Sequence, residues 1–175
     1  PEPSVTVATT LEKEGYNLST LVMGTQTGTH VDAPYHFSNT GETIDNMELD
    51  FFLGDAVVVH VTEKKADEAI TMEDIEPYKN DITEGKVVLF NTNWYKKRGT
   101  EEFFHHPYVN GEVAKFLVDK GIRFIGIDTI NADQTGGTEF PVHDLFSENR
   151  LMIGENWAFF DKIDFENPYV IALPM

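Results

Sequence analysis

The stretch Gly28-Thr29-His30-Val31-Asp32-Ala33-Pro34-Tyr35-His36-Phe37 sets two imidazoles and a carboxylate at even spacing around a proline. In an extended backbone successive side chains alternate faces, so this spacing predicts that His30, Asp32 and His36 share one face. Pro34 disfavours the helical region for Ala33 and supports an extended segment. Two nitrogen donors and one hard oxygen donor on a stiff ribbon suit a divalent transition metal and the movement of a proton beside it. A single His or Asp in a loop more often makes ordinary hydrogen bonds. It is the set, at this spacing, that points to a metal.

An ion held by His30 and Asp32 alone is underligated, so further donors are expected from elsewhere in the chain. The C-terminal third offers them. Pro141-Val142-His143-Asp144-Leu145 reads as the opening of a helix, and Ile153-Gly154-Glu155-Asn156-Trp157 sets a carboxylate in apolar company. Burying Glu155 there costs energy unless a cation or strong donor compensates. The alternative is a solvated loop position, where Glu is usually found.

Together these segments, with Gly126-Ile127-Asp128-Thr129 and His106-Pro107-Tyr108, resemble the cyclase-type metal-dependent hydrolases, the family that includes bacterial kynurenine formamidases. The resemblance spans nearly the whole chain. It implies a mixed α/β architecture, the swivelling β/β/α fold, assembled as a homodimer or homotetramer, with a further N-terminal segment ahead of Pro1. It also implies that His30, Asp32, His143 and Glu155 are metal ligands, that Asp32 and Glu155 can bridge two ions, and that His36 is the general acid and base. Two-zinc members carry histidine two residues before the motif glycine, where this chain has Gln26. Glutamine is a weaker zinc donor than imidazole, and oxygen-rich sites favour manganese or similar harder ions. The expectation is therefore one tightly held ion, Mn or Zn, out of the one or two per chain such a site can take, with Gln26 lining the site or ligating weakly.

A hydrolase of this kind uses its ion to lower the pKa of water from about 15.7 toward roughly 7 and to polarise the substrate carbonyl. Imidazole, with an ordinary pKa near 6.5, suits the proton transfers. Formamide, lactam, imide and small ester substrates fit this chemistry. Asp128 is a candidate for orienting a ligand or for a structural turn. Tyr35, Phe37, Phe103, Phe104 and Trp157 are candidates for an aromatic substrate pocket or for the core. The alternative function is a homologue that binds a metal or small molecule without turnover. His60, His105 and His106 are left outside the site.

Composition narrows the partners. A net charge of -17, from 13 Lys plus Arg against 30 Asp plus Glu, repels phosphate backbones and anionic headgroups, so a small-molecule substrate is expected and neither nucleic acid nor membrane. No cysteine is present, which leaves His, carboxylates and amides for any metal work. No run approaches the roughly 18 apolar residues of a membrane span, and the start lacks the layout of a secretion signal, so the default expectation is cytoplasmic. With 175 residues, 41% of them hydrophobic, one domain over residues 1–175 is expected.

The elements that must position these groups follow from pattern. Val5-Thr6-Val7, Tyr16 to Met23, Ala56 to Val61, Lys86 to Asn91, Arg123 to Asp128 and Tyr169 to Leu173 read as strands. A helix is predicted from the N-cap Asn110, through Val113, Phe116 and Leu117, to Gly121. A shorter one starts at Thr71, whose offset to Asp74 resembles a capping box, and ends near Pro77. Glu63 to Glu68 reads as a charged connector and Tyr95 to His106 as a long loop.

Overall fold

Val87-Val88-Leu89-Phe90-Asn91 is buried along its whole length, as a strand covered on both faces must be. The computed structural model describes residues 2–175 and makes this strand central to a six-stranded sheet. In chain order the strands are β1 (Ser4–Thr9), β2 (Leu18–Val22), β3 (His30–Asp32), β4 (Leu53–His60), β5 (Ala69–Ile70), β6 (Val87–Asn91), β7 (Tyr108–Val109), β8 (Phe124–Ile127), β9 (Met152–Glu155) and β10 (Tyr169–Ile171). The helices are α1 (Leu11–Glu14), α2 (Met72–Ile75), α3 (Gly111–Asp119) and α4 (Pro141–Glu148). The main sheet runs β10-β4-β6-β8-β9-β3, parallel from β4 through β9 and closed by an antiparallel strand at each edge.

Strand alternation divides the core between the two faces. Val57, Val59, Val88, Phe90, Ile125 and Ile153 pack against α3 and α4 through Val113, Leu117, Val142 and Phe146. Ala56, Val87, Leu89, Phe124 and Met152 face the other way, onto Met47, Phe52 and Phe160. Gly154 in β9 is demanded by contact: a Cβ there would lie 2.6 Å from the Trp157 indole nitrogen, so the ring lies directly on the strand.

The two helix readings hold in detail. The Asn110 side chain accepts from the Val113 backbone N–H at 2.9 Å, a cap worth about 1 kcal/mol. Thr71 and Asp74 form the reciprocal box at the start of α2, and the chain continues past Ile75 as a 3-10 turn through Pro77. The segment after Tyr95 is more ordered than a loop, because Trp94 and Phe103 are buried and anchor two 3-10 turns, Trp94–Lys97 and Glu101–Phe104. β1 and β2 form strands as expected but pair only with each other, in an antiparallel hairpin outside the main sheet. Among the described residues no helix is long and apolar enough to cross a membrane.

Candidate metal centre

β3 pairs antiparallel with β9 so that His30 faces Glu155 and Asp32 faces Ile153. In an antiparallel ladder, directly opposed residues project to the same side. Because Ile153 belongs to the core beneath α3 and α4, His30, Asp32 and Glu155 must point to that side too, while Val31 and Gly154 face Trp157. α4 crosses the same side and delivers His143 from its first turn. Asp32, His143 and Glu155 are buried and His30 half-buried.

Strand alternation does not carry His36 to this cluster, and here the expectation of one extended ribbon is corrected. Ala33 is extended (φ -81, ψ 161), as a residue before proline should be, but Pro34–His36 then coils into a 3-10 turn. Proline's fixed φ suits the first position of such a turn. His36 therefore arrives at the rim of the site from a turn and is exposed. Its ring centroid is 5.9 Å from that of His143.

Four donors converge. His30 Nε2 lies 3.7 Å from Asp32 Oδ1 and 3.5 Å from Glu155 Oε2; His143 Nε2 lies 3.3 Å from Glu155 Oε1 and 3.8 Å from Asp32 Oδ2. Each imidazole is turned by a partner on its other nitrogen: His30 Nδ1 is 2.8 Å from the Gly28 carbonyl, and His143 Nδ1 is 2.6 Å from Asp133 Oδ2. Both Nε2 atoms thus face the carboxylates. The Glu155 carboxylate is further fixed by the Ala132 backbone N–H, which donates to Oε1 at 2.8 Å. Gln26 donates from Nε2 to Asp32 Oδ1 at 2.7 Å, and the same nitrogen is 2.7 Å from His36 Nε2. A carboxylate oxygen accepts only, so the amide nitrogen belongs on this side and its oxygen points away.

The cluster fits a divalent ion. His30 Nε2 and Asp32 Oδ2 are buried and have no hydrogen-bond partner, a costly state that ligation relieves. Donors about 2.1 Å from a tetrahedral ion stand about 3.4 Å apart, close to the separations here. His30, Asp32 and Glu155 form one group with donor atoms within 4.8 Å of one another, and Asp32, His36 and His143 form another. The electrostatics agree. Burial opposes charge on His143, but the hydrogen bond with Asp133 and the nearby Asp32 and Glu155 carboxylates outweigh it and push its pKa up to about 11. Burial likewise opposes charge on Glu155, yet the facing imidazoles of His143 and His30 and the Ala132 N–H hold its pKa at about 2. Burial opposes charge on His30 too, but the nearby Glu155 carboxylate and the bond with the Gly28 carbonyl outweigh it, so its pKa is raised. The Glu155 carboxylate therefore stays ionised and requires a positive partner.

A cleft of about 380 Å³ opens over the cluster, walled by Phe37 and Ile130 and rimmed by Gln26, His36, Asn131 and Asn156. Of the five aromatic candidates only Phe37 reaches it, stacked on His143 at 4.2 Å between ring centroids. Trp157 lies across the sheet, Phe103 is core, and Tyr35 and Phe104 are exposed away from the cleft. Asp128 serves the scaffold. It is fully buried and accepts from the Thr92 N–H at 2.9 Å and from the Thr92 hydroxyl, tying β8 to the end of β6. Of the histidines left outside, His106 is buried against Thr135, 2.7 Å away, and His60 meets Asn91 at the end of β4. Asp133 and the Ala132 N–H are not legible in the sequence, because their role depends on a loop that folds back over β9. An aspartate ten residues ahead of a candidate ligand histidine is no pattern by itself.

Known proteins resemble the chain over most of its length. The Cyclase family model ("Putative cyclase") matches residues 3–134. A kynurenine formamidase of Bacillus cereus is 30% identical over 165 residues, covering 94% of this chain and 75% of that protein. Among solved structures, isatin hydrolase A from Labrenzia aggregata superposes with a TM-score of 0.87 at 23% identity, covering 99% of this chain and 77% of that one. A protein described as a predicted metal-dependent hydrolase from Bacillus stearothermophilus gives a TM-score of 0.73 at 27% identity, covering 97% and 76%. The mixed α/β sheet is thus the swivelling β/β/α fold expected from the motif, and the chain belongs to the cyclase family of metal-dependent hydrolases.

Proposed function

We propose that this chain is a metal-dependent hydrolase that cleaves the amide bond of a small aromatic formamide or a related lactam or imide, in the manner of an arylformamidase. The observation that carries this is the convergence of His30 Nε2, Asp32, His143 Nε2 and Glu155 on one point beneath a cleft, with His36 at its mouth. These four residues would hold the ion. Bound there, a divalent cation supplies Lewis acidity, polarising the scissile carbonyl and lowering the pKa of water toward about 7.

The remaining work falls to the chain. His36 is exposed at the rim and can exchange protons with solvent, so it takes the proton of the attacking water and returns it to the leaving amine. Gln26, bonded to both His36 and Asp32, holds the imidazole against the cluster. Phe37 and Ile130 give the cleft an apolar wall for an aryl group, while Asn131 and Asn156 can meet polar substituents. The cleft volume suits one small aromatic molecule.

One ion per chain, manganese or zinc, is the stoichiometry we favour, because Gln26 turns a hydrogen-bond donor rather than a lone pair toward Asp32. A homodimer or homotetramer is the assembly we favour, supported by the exposed apolar hairpin of β1 and β2. The test is release of formate from N-formylkynurenine and simple aryl formamides, and ring opening of cyclic imides, with chelator and then with added Mn²⁺ or Zn²⁺. Turnover that a chelator abolishes and the ion restores is expected. An ion bound without turnover of any of these would favour the non-catalytic alternative, and two zincs at full occupancy by elemental analysis would overturn the stoichiometry.

A further inference from the structure

Asp133 is the most fully partnered carboxylate near the site, yet it offers no oxygen to the donor cluster. It is 1% exposed. Oδ1 accepts from the Val142 N–H at 3.0 Å, and Oδ2 accepts from the His143 N–H at 3.0 Å while lying 2.6 Å from His143 Nδ1. Its own N–H donates to Asn131 Oδ1 at 2.8 Å, fixing the segment that also sends the Ala132 N–H to Glu155. α4 has no side-chain cap at Phe140, so Asp133 satisfies two N–H groups of its first turn from a distant segment. One carboxylate therefore locks the start of the helix and the ring that helix carries.

We propose that Asp133 is the positioning residue of this centre: it fixes the tautomer and rotation of His143 and thereby sets how tightly the ion is held. The inference rests on the metal-hydrolase function proposed above and names a residue through which that site works. A carboxylate accepts and never donates, so the neutral His143 ring must carry its proton on Nδ1 and present the Nε2 lone pair to Asp32 and Glu155. Phe37 closes the other side of the ring, its centroid 4.2 Å away, so rotation is blocked by contact as well as by hydrogen bonding. Asparagine at 133 cannot accept at both positions: its NH2 must oppose either the Val142 N–H or the His143 N–H and Nδ1–H, so the lock on the ring and its tautomer is weakened. Losing such a partner typically weakens metal affinity by 10–100-fold.

The experiment is Zn²⁺ affinity by chelator competition for wild type, Asp133→Asn, His143→Gln and the double variant, with thermal melts of each. Asp133→Asn should weaken Zn²⁺ by about 10–100-fold, and in the His143→Gln background it should cost nothing further. Wild-type affinity in Asp133→Asn, or an equal loss in the His143→Gln background, overturns the proposal. If His143→Gln itself binds Zn²⁺ as wild type does, it is the metal site that fails. Nitrogen-15 spectra of the Zn²⁺-loaded wild type need no variant: a Zn²⁺-shifted His143 Nε2 with an exchange-protected Nδ1 proton is expected, and a Zn²⁺-shifted Nδ1 overturns the proposal even if Asp133→Asn fails to fold.

Discussion

His36 and Asp32 stand on the same short segment, but their surroundings divide the labour between them. Asp32 is buried between two imidazoles, whereas His36 is exposed and touches the cluster through the Gln26 amide. His36→Ala should therefore keep the ion and lose about 10²–10⁴-fold in turnover, while Asp32→Ala should lose both. Elemental analysis beside kcat decides this, and equal metal loss in the two variants would contradict separate roles. Asp128 is a carboxylate with a different task. Burial raises its pKa to about 6 despite the donors on Thr92 and Asn93 that favour the charged form. A carboxyl that is harder to ionise folded than unfolded keeps its proton in the folded state between its ordinary pKa of 3.8 and about 6, so stability falls as pH rises through that window. A tenfold difference in proton affinity between the folded and unfolded chain is worth about 1.4 kcal/mol. Asp128→Asn retains an acceptor for Thr92 but cannot titrate, so urea unfolding should show the variant gaining on wild type by roughly 2–3 kcal/mol between about pH 4 and pH 7. A difference that does not move with pH would show that Asp128 is charged in the fold at all these values.

Placement of His36 belongs to the turn that bears it. That turn is wedged: a Cβ on Gly41 would sit 2.5 Å from the Pro34 carbonyl carbon, 2.6 Å from its oxygen and 2.8 Å from the Tyr35 nitrogen. Backbone cannot rotate aside as a side chain can, and the Tyr35 N–H also donates to the Glu42 carbonyl at 3.0 Å. Gly41→Ala should then displace the 34–36 turn, cost about 1–3 kcal/mol in stability and lower kcat at least tenfold, while Zn²⁺ affinity, set largely by β3, β9 and α4, falls less. A variant that melts lower but turns over like wild type would mean that the turn and the imidazole move independently. Local pattern makes α2, α3 and most strands legible because caps and β-branched runs are written in neighbouring residues. It does not reveal β9 as a strand, since Met152-Ile153-Gly154-Glu155 has little β-branched character and its glycine is explained only by Trp157 lying on it. Nor does it reveal the coil at Pro34, because the same proline that makes Ala33 extended can open a 3-10 turn, and the choice is made by Gly41 packing behind it.

At the scale of the molecule, donor types and spacing make the cluster legible while its support is not. His30, Asp32, His143 and Glu155 follow from residue chemistry and a family motif, but Asp133 and the Ala132 N–H come from a loop whose path depends on the sheet order. The surface is legible only as charge, and charge argues against self-association: at a net -17, two copies repel. The fold nonetheless displays an apolar ribbon. Val5 and Leu21 are cross-strand partners in the β1–β2 hairpin, and together with Val7 they make one apolar face whose side chains are each more than half exposed. A two-stranded ribbon is marginal alone, and apolar residues on it gain most by being covered. If a second copy covers it, association is driven by apolar area and opposed by charge, so raising salt should strengthen it by screening the repulsion. Light scattering of the wild type should give a dimer or tetramer, firmer at about 0.5 M than at about 0.05 M NaCl. Val7→Thr with Leu21→Thr keeps strand propensity but leaves only Val5 of the apolar face, and should shift the species toward monomer without lowering Zn²⁺ affinity. A wild type that is monomeric at both salts, or a variant that assembles as well as its parent, would place the hairpin outside any interface between copies.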